Sequence, residues 1–292
     1  MEITASMVKE LRETSGAGMM DCKKALSECN GDMDKAMEYL REKGIAKSAK
    51  KESRIAAEGL ANIFVDGNKA VILEVNSETD FVSKNQEFVN MISVIGHALL
   101  KSNAKTLEEA NAVETEFGTV ADYIIENVAK IGEKLSLRRF EIVEKNDDEV
   151  FGEYLHMGGR IAALTVLKGA NADVAKDIAM QAAAMKPLYL DITSVPEDVV
   201  ASERKIQKEL AMNEGKPADI AEKMVEGRIK KYYKEVCLVE QPFVKDGDIS
   251  VKEYASRNNG EVLKMIRYEV GEGMEKRCDN FAEEVMNQVK GN

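Results

Sequence analysis

Arg139-Phe140-Glu141-Ile142 is matched further along the chain by Arg267-Tyr268-Glu269-Val270, and this pair of stretches decides the fold. Each stretch closes a unit that opens with two apolar segments joined by a glycine-containing turn, which is a hairpin signal. The segments and turns are 59–65, Asp66-Gly67-Asn68 and 70–75 in the first copy, and 151–157, Gly158-Gly159 and 160–167 in the second. The repeat predicts an α+β protein in which a three-stranded antiparallel sheet with helices on one face occurs twice.

A helical hairpin is predicted as an insertion in the second copy. Pro196 begins it, and Gly215-Lys216-Pro217 forces the chain to reverse. Two narrow apolar stripes match each other, and they consist of Val199, Ile206 and Leu210 on one helix and Val225, Ile229, Tyr232 and Val236 on the other. Such an arm serves contact or assembly rather than chemistry. Self-association as a homodimer and contact with a partner protein remain two alternatives for it.

The first 43 residues predict a small bundle of three helices with one apolar face each. Thr4 caps the first helix, the second runs from Asp21, and the third opens at Asp32. Cys22 and Cys29 lie on the apolar stripe of the second helix, so we expect core packing for both. The predicted segments are 1–54 for the bundle and a helical linker, 55–145 and 146–195 with 237–273 for the two copies, 196–236 for the arm, and 274–292 for a C-terminal helix.

Composition and charge indicate an ordinary globular protein with 44% hydrophobic and 32% charged residues. No apolar run approaches the roughly 20 residues of a membrane span, and the start shows no signal-peptide pattern. We therefore expect a cytoplasmic protein with no membrane contact. The net charge is −11 although residues 41–54 carry +4. Overall acidity argues against direct nucleic-acid binding, which needs basic surface. The basic stretch is interpreted as a solvated helix and linker, and contact with RNA or an acidic partner surface is the alternative.

Signatures of catalysis are absent from the sequence. The four cysteines and two histidines show no zinc-site spacing. No phosphate-binding loop or nucleophile elbow occurs, and Gly16-Ala17-Gly18 follows a helix rather than the strand that a dinucleotide site requires. We expect no metal, no cofactor and no enzymatic activity. These exclusions point to a protein that works by binding.

Thr79-Asp80-Phe81-Val82 follows the second strand of the first copy and is the principal candidate site. Ser83 and Gln86 fit a capping box for the next helix, which places Asp80 and Phe81 in the connection itself. The fourth helical position is then Glu87, so Phe81 lacks the apolar partner of a hydrophobic staple. Two alternatives remain for the ring: it packs into the core of its own domain, or it is a wedge for another protein.

Further candidates are methionines and a histidine at turns. Met19 and Met20 follow Gly16-Ala17-Gly18 between two helices. Two consecutive methionines cannot both face inward, so either one is a core residue beside an incidental neighbour, or one or both contact a partner. His156 lies at the tip of the second hairpin, where the alternatives are a binding role and an exposed turn residue without one.

Several motifs are spread over the whole chain: Leu11-Arg12, Ser15 to Leu26, Val75-Asn76, Thr79 to Val82, Gly159-Arg160-Ile161, Gly215-Lys216-Pro217, Glu222 to Arg228, and Gln241-Pro242-Phe243-Val244. Together they resemble the elongation factor Ts family, the bacterial and organellar guanine-nucleotide exchange factors for elongation factor Tu. The resemblance is specific and covers essentially the whole chain.

The resemblance implies a role for each candidate. The N-terminal bundle is similar to a ubiquitin-associated domain that docks on the G domain of elongation factor Tu, which implies that Arg12, Met19 and Met20 contact the partner. Thr79 to Val82 corresponds to the element that dislodges Mg²⁺ from the partner. His156 is placed near the partner's phosphate-binding region, and the C-terminal helix also contacts the partner. A rival hypothesis is a non-catalytic adaptor that recognises protein surfaces through the first 45 residues.

Overall fold

Helices and strands are mixed along the chain, as the predicted α+β class requires. The structure is a computed structural model that describes residues 3–15 and 17–275. Its helices are α1 (Ala5–Ser15), α2 (Met19–Glu28), α3 (Met33–Ala49), α4 (Asp80–Ser83), α5 (Gln86–Lys101), α6 (Leu107–Asn111), α7 (Val120–Ile131), α8 (Ala172–Met185), α9 (Glu197–Asn213), α10 (Ala218–Val236) and α11 (Val251–Arg257). Its strands are β1 (Glu58–Asp66), β2 (Lys69–Ser77), β3 (Glu114–Thr115), β4 (Gly118–Thr119), β5 (Ser136–Glu144), β6 (Glu149–His156), β7 (Ile161–Lys168), β8 (Pro242–Phe243), β9 (Asp246–Ser250) and β10 (Glu261–Glu269).

The two principal sheets have the same strand order. β2 lies between β1 and β5 in the first sheet, and β7 lies between β6 and β10 in the second. β6 and β7 pair antiparallel from Glu149 opposite Lys168 to His156 opposite Ile161. In the first hairpin Gly67 has a φ of +55°, a left-handed conformation that favours glycine. The fold class and the duplicated three-stranded sheet predicted from the sequence are confirmed.

Contacts divide the described residues into two compact units. The first takes those of Met1–Phe64, Leu73–Ile142 and Glu269–Asn292, and the second takes Val65–Ile72 and Val143–Tyr268. The five segments predicted from the sequence remain a proposal.

The N-terminal part of the first unit is the predicted three-helix bundle. Thr4 caps α1, since its Oγ1 accepts a hydrogen bond from the N–H of Met7 at 3.3 Å. Asp32 caps α3 by accepting from the N–H of Lys35 at 3.1 Å. The buried residues of the bundle are Val8, Leu11, Cys22, Ala25, Leu26 and Ala36. Cys29, the C-cap of α2, is partly buried and packs against this cluster.

Helix α3 extends beyond the bundle. It continues to Ala49, so most of the predicted linker helix is the end of α3. The C-terminal half of α3 packs on α7 of the same unit: Arg41 and Asp122 form an ion pair of 3.3 Å. A Cβ added at Gly44 would lie 3.5 Å from the Cβ of Ala129. Helix packing therefore joins the bundle to the rest of its unit.

A buried carboxylate, Glu74 of β2, pairs with two arginines of β5. Arg138 Nη1 lies 2.9 Å from Glu74 Oε1, and Arg139 Nε lies 2.6 Å from Oε2. The N–H of Gly271 also donates to Oε1 at 2.9 Å. Burial raises the pKa of the Glu74 carboxyl, but the hydrogen bonds from Gly271 and Arg138 outweigh it, so the pKa lies below the ordinary 4.5. Ion pairs with Glu74 thus join β2 to the part of β5 that contains the repeated Arg139 stretch.

In the second unit α8 covers β6 and β7. Gly152 permits the close approach, since a Cβ there would lie 2.1 Å from the carbonyl oxygen of Ala175. Thr165 Oγ1 donates to the same carbonyl at 2.9 Å. The buried apolar residues of this core are Ala163, Leu167, Val174, Ala175, Ile178, Ala179, Ala182, Ala183, Leu238, Phe243, Ile249, Val251 and Ala255.

Helices α9 and α10 form the predicted arm, which reverses between Asn213 and Ala218. The apolar stripe predicted for α9 is wrong in part, because Ile206 and Leu210 are exposed. Charged side chains also link the two helices, at their solvent-accessible surface. The cross-helix ion pairs are Arg204–Glu226, Lys208–Glu222 and Glu214–Arg228. The buried apolar residues of the pair are Ala211, Ala221, Val225 and Ile229.

The predicted C-terminal helix falls almost wholly outside the described residues, which end at 275. Met274 lies in a bend after β10. The rest of that predicted helix, with Cys278, stays a prediction.

Candidate functional site

The principal candidate motif forms a single helical turn at the end of β2. Thr79 is the N-cap of this turn, with an extended backbone of φ −127° and ψ 157°. Asp80, Phe81 and Val82 are the first residues of α4. Asp80 and Phe81 thus lie in the connection between β2 and α5, as predicted, but this connection includes a separate turn of helix that the sequence did not indicate.

The predicted capping box at Ser83 and Gln86 is wrong. Asn85 caps α5, since its side chain accepts a hydrogen bond from the N–H of Glu87 at 2.8 Å. Ser83 ends α4 and its Oγ donates to the carbonyl oxygen of Asp80 at 2.6 Å. The Ser83 hydroxyl bonds within its own turn, and the cap is Asn85, the next residue whose side chain can accept a hydrogen bond.

The two apolar side chains of α4 have opposite environments. Phe81 is 79% exposed, whereas Val82 is 7% exposed. Of the two alternatives for the ring, packing into the core of its own domain is excluded. Full burial of a side chain of this size contributes about 1.5–3 kcal/mol. An exposed phenylalanine on an ordered turn therefore offers binding energy that its own fold does not use.

Asp80 is exposed beside the ring. Lys84 Nζ lies 3.7 Å from Asp80 Oδ2, and both side chains are largely in solvent. Surface pairs of this kind contribute little to stability. The carboxylate is thus held loosely and can exchange its partner when another surface approaches.

At the base of the turn the side chains of Glu78 and Glu133 each accept hydrogen bonds from the other's chain segment. Glu133, in the loop after α7, accepts from the N–H groups of Glu78 and Thr79 through Oε2, each at 3.0 Å. Its Oε1 accepts from the Thr79 hydroxyl at 2.6 Å. In return Glu78 Oε1 accepts from the N–H of Lys134 at 2.6 Å, and Arg54 Nη1 lies 3.2 Å from the same oxygen. Sequence reasoning missed this pair because the partners lie far apart in the chain.

The two methionines of the N-terminal bundle are both exposed. Met19 is 57% and Met20 is 76% exposed. They form the first turn of α2, which begins two positions before the predicted Asp21 because Gly18 serves as an extended N-cap. Arg12, near the end of α1, is exposed as well. The alternative in which one methionine belongs to the core is therefore excluded.

His156 ends β6 in the second unit and is exposed. Its ring lies 6.1 Å from that of Tyr154, in a stacked arrangement. Beside it Met157 is 73% exposed and has a φ of +50°, which is unusual for a residue with a side chain. Sequence reasoning did not single out Met157. Its signal was the position before Gly158-Gly159, where the chain must turn sharply.

Features of other site classes were sought among the described residues. Within residues 3–15 and 17–275 no group of three or more His, Cys, Asp or Glu is arranged to hold a metal ion. The described helices include none long and apolar enough to cross a membrane. Burial raises the pKa of the Cys237 thiol to about 11, which disfavours the thiolate that a nucleophile needs.

A family model described as "Elongation factor TS" matches residues 78–272. This stretch is about two thirds of the chain. The chain belongs to the elongation factor TS family. It is thus a member of a family of translation elongation factors, and its family assignment agrees with the resemblance carried by the sequence motifs.

The match covers the candidate residues unequally. Thr79–Val82, Glu133 and His156 lie inside it. Arg12, Met19 and Met20 precede it, so their assignment depends on the motifs and on their exposure.

Proposed function

We propose that this chain binds elongation factor Tu in its GDP-bound form and promotes the release of GDP and its exchange for GTP. The observation that supports this most is the exposed Phe81 ring on a hydrogen-bonded turn, inside the stretch that the family model matches. The family indicates the partner, and the turn supplies a means to act on it.

The proposed mechanism is mechanical. Phe81 wedges between elements of the partner, and Asp80 supports the shifted arrangement. Mg²⁺ demands nearly ideal octahedral geometry, so a small shift of the groups around it weakens its binding. GDP phosphates depend on that ion and on a backbone cradle. Thr79–Val82 would therefore release GDP by dislodging Mg²⁺ from the partner, without a bond being made or broken by this chain.

Thermodynamic reciprocity requires that the exchange factor favour the nucleotide-free partner. A protein that binds the empty state more tightly than the GDP-bound state weakens GDP binding by the same factor. An abundance of GTP then refills the site. On this account the chain needs no cofactor of its own, is not an enzyme, and works in the cytoplasm where translation takes place.

Additional contacts are proposed for the other candidates. Arg12, Met19 and Met20 of the bundle, which is similar to a ubiquitin-associated domain, contact the partner's G domain. The long, flexible thioether side chains suit an adaptable contact. His156, at the end of β6, lies near the partner's phosphate-binding region. The exposure of all four side chains supports these roles.

The direct test is release of a fluorescent GDP from elongation factor Tu, followed by stopped flow with and without this chain at several Mg²⁺ concentrations. The proposal expects faster release at every concentration, with the largest stimulation at high Mg²⁺, where spontaneous release is slowest. Equal release rates with and without the chain would refute it.

Exposure of Met19 and Met20 also favours the alternative function, an adaptor that acts through the bundle alone. The two functions separate in the full-length protein. If exchange is the function, a Phe81→Ala variant loses stimulation of GDP release while it keeps contacts through the bundle. For an adaptor, Phe81→Ala leaves all activity intact, and only changes at Met19 and Met20 matter.

A further inference from the structure

The segment that leads into α4 is hydrogen-bonded to a residue from a distant part of the chain, Glu133. Only one backbone hydrogen-bonded turn makes up α4, and isolated turns of helix are not stable by themselves. The Thr79 side chain makes no capping bond to α4, because its hydroxyl donates to Glu133. External contacts must therefore hold the turn in place.

Glu133 makes three of these contacts with one carboxylate. It accepts from two consecutive backbone N–H groups and from the Thr79 hydroxyl, at 2.6 to 3.0 Å. Hydrogen bonds to an ionised acceptor are stronger than those between neutral groups. All three donors belong to Glu78 and Thr79, within three residues of Phe81 and directly before the turn that carries it.

The reciprocal bond fixes Glu133 in turn. Glu78 accepts from the N–H of Lys134, the residue after Glu133, and its side chain is mostly buried. The two segments thus hold each other through both carboxylates. Val82 adds an apolar anchor on the inner side of the same turn.

We propose that Glu133 is a positioning residue for nucleotide exchange: its carboxylate holds the backbone at Glu78 and Thr79 so that Phe81 is presented in one orientation. This inference rests on the proposed function, and it concerns how this chain prepares the wedge. An ordered ring loses less conformational freedom when it enters a partner's surface, which increases the binding energy available for the exchange.

The first test measures, in the free protein, how firmly Glu133 holds the backbone at Glu78 and Thr79. In Glu133→Ala, amide hydrogen exchange at Glu78 and Thr79 is expected to accelerate at least about tenfold, whereas amides of the β2 interior keep their protection. Glu109→Ala is the matched control, because Glu109 also accepts from two consecutive backbone N–H groups, those of Lys105 and Thr106, at another loop of the unit. That control should leave Glu78 and Thr79 unchanged. Unchanged amide hydrogen exchange at these two residues in Glu133→Ala would overturn the proposed role of Glu133.

The second test is a double-mutant cycle on GDP release from elongation factor Tu with Phe81→Ala. Glu133→Ala alone is expected to lower the stimulated rate about fivefold, and less than about twofold when Phe81 is already alanine. Each variant is used at a concentration at which GDP release stays faster than spontaneous release, so that every stimulated rate can be measured. Glu109→Ala should retain the wild-type rate. Glu133→Gln, which keeps one acceptor oxygen and the side-chain shape, should give an intermediate rate and serves if the alanine variant does not fold.

The outcomes separate the two claims. If wild type and Phe81→Ala behave as the exchange function requires but Glu133→Ala and Glu133→Gln match wild type, the positioning role is overturned and the function stands. An equal loss from Glu133→Ala in both backgrounds also overturns it, since the effect then does not pass through Phe81. Failure of the wild-type chain to stimulate release overturns the function and this inference with it.

Discussion

Phe81 and Val82 are consecutive residues of one helical turn, and the first is 79% exposed while the second is 7% exposed. The buried valine fixes the turn to its own unit, which leaves the phenylalanine free for another protein. The same short motif thus contains an internal anchor and, on the proposed function, an external one.

Removing the internal anchor should destabilise the protein. Val82→Ala is expected to lower the free energy of unfolding by about 2 kcal/mol, because buried methyl groups are lost and the space does not close fully. Phe81→Ala should change it by less than about 0.5 kcal/mol, since its ring is in solvent. Urea denaturation of the two variants measures this difference. Equal losses would show that the ring packs against its own unit.

The buried charge cluster at Glu74 predicts a pH-dependent stability. Because the pKa of Glu74 in the fold lies below the unfolded value of 4.5, its contribution is fully present above pH 4.5 and is lost as the pH falls through the folded pKa. Glu74→Gln should therefore cost about 2 kcal/mol at pH 7, a value reduced from the usual cost of breaking a buried pair because Arg138 and Arg139 are partly exposed.

The difference in stability between Glu74→Gln and wild type should shrink as the pH is lowered below 4.5. Thermal melts of both proteins between about pH 3.5 and about pH 7, a range that spans the unfolded carboxyl pKa, measure this difference. Glu144→Gln is a control, because the pair of Glu144 with Lys69 spans 3.8 Å and its carboxylate is exposed. A constant difference between Glu74→Gln and wild type at every pH would contradict the assignment.

The exposed methionines of α2 are expected to contribute to partner binding. Met19→Glu and Met20→Glu should each weaken binding to elongation factor Tu about tenfold, because each places a charge in an apolar contact. Melting temperatures should stay unchanged, since both side chains are exposed. Met185→Glu, at an exposed methionine of α8, is the control. Calorimetric titration with full affinity for both α2 variants would exclude a contact there.

Two glycines of the second unit should respond to alanine in opposite directions. At Gly152 a Cβ would lie 2.1 Å from the carbonyl oxygen of Ala175, so Gly152→Ala should lower the free energy of unfolding by about 2–3 kcal/mol. At Gly227, inside α10, a Cβ meets nothing within 4 Å. Gly227→Ala should therefore raise stability by up to about 1 kcal/mol. Denaturant titrations check both signs, and a neutral Gly152→Ala would refute the close packing of α8 on β6.

Local patterns in the sequence predicted much of the fold. The hairpins follow from turns such as Gly158-Gly159, where the chemistry of one or two residues decides the backbone. Thr4 and Asp32 act as the predicted helix caps for the same reason. The arm was predicted from its proline and glycine boundaries, yet its facing residues were partly wrong, because Ile206 and Leu210 are exposed while Ala211 and Ala221 are buried.

The candidate site was predictable only as a motif. Its sequence identified Thr79–Val82, but not the separate helical turn that the motif forms. The capping signal at Ser83 failed because its hydroxyl bonds within α4. Glu133 could not be found at all, since no local pattern marks a carboxylate that binds a backbone segment on another part of the chain. The exposure of Phe81 likewise depends on which residues the fold leaves uncovered.

Stopped-flow release of fluorescent GDP from elongation factor Tu, with wild type and Phe81→Ala compared at one Mg²⁺ concentration, tests the central claim most directly. Phe117→Ala is the matched control, because Phe117 is also an exposed phenylalanine of the first unit and stacks on Tyr123. The account predicts that Phe81→Ala lowers stimulated release at least about tenfold while Phe117→Ala retains the wild-type rate. Wild-type stimulation by a folded Phe81→Ala variant would contradict it.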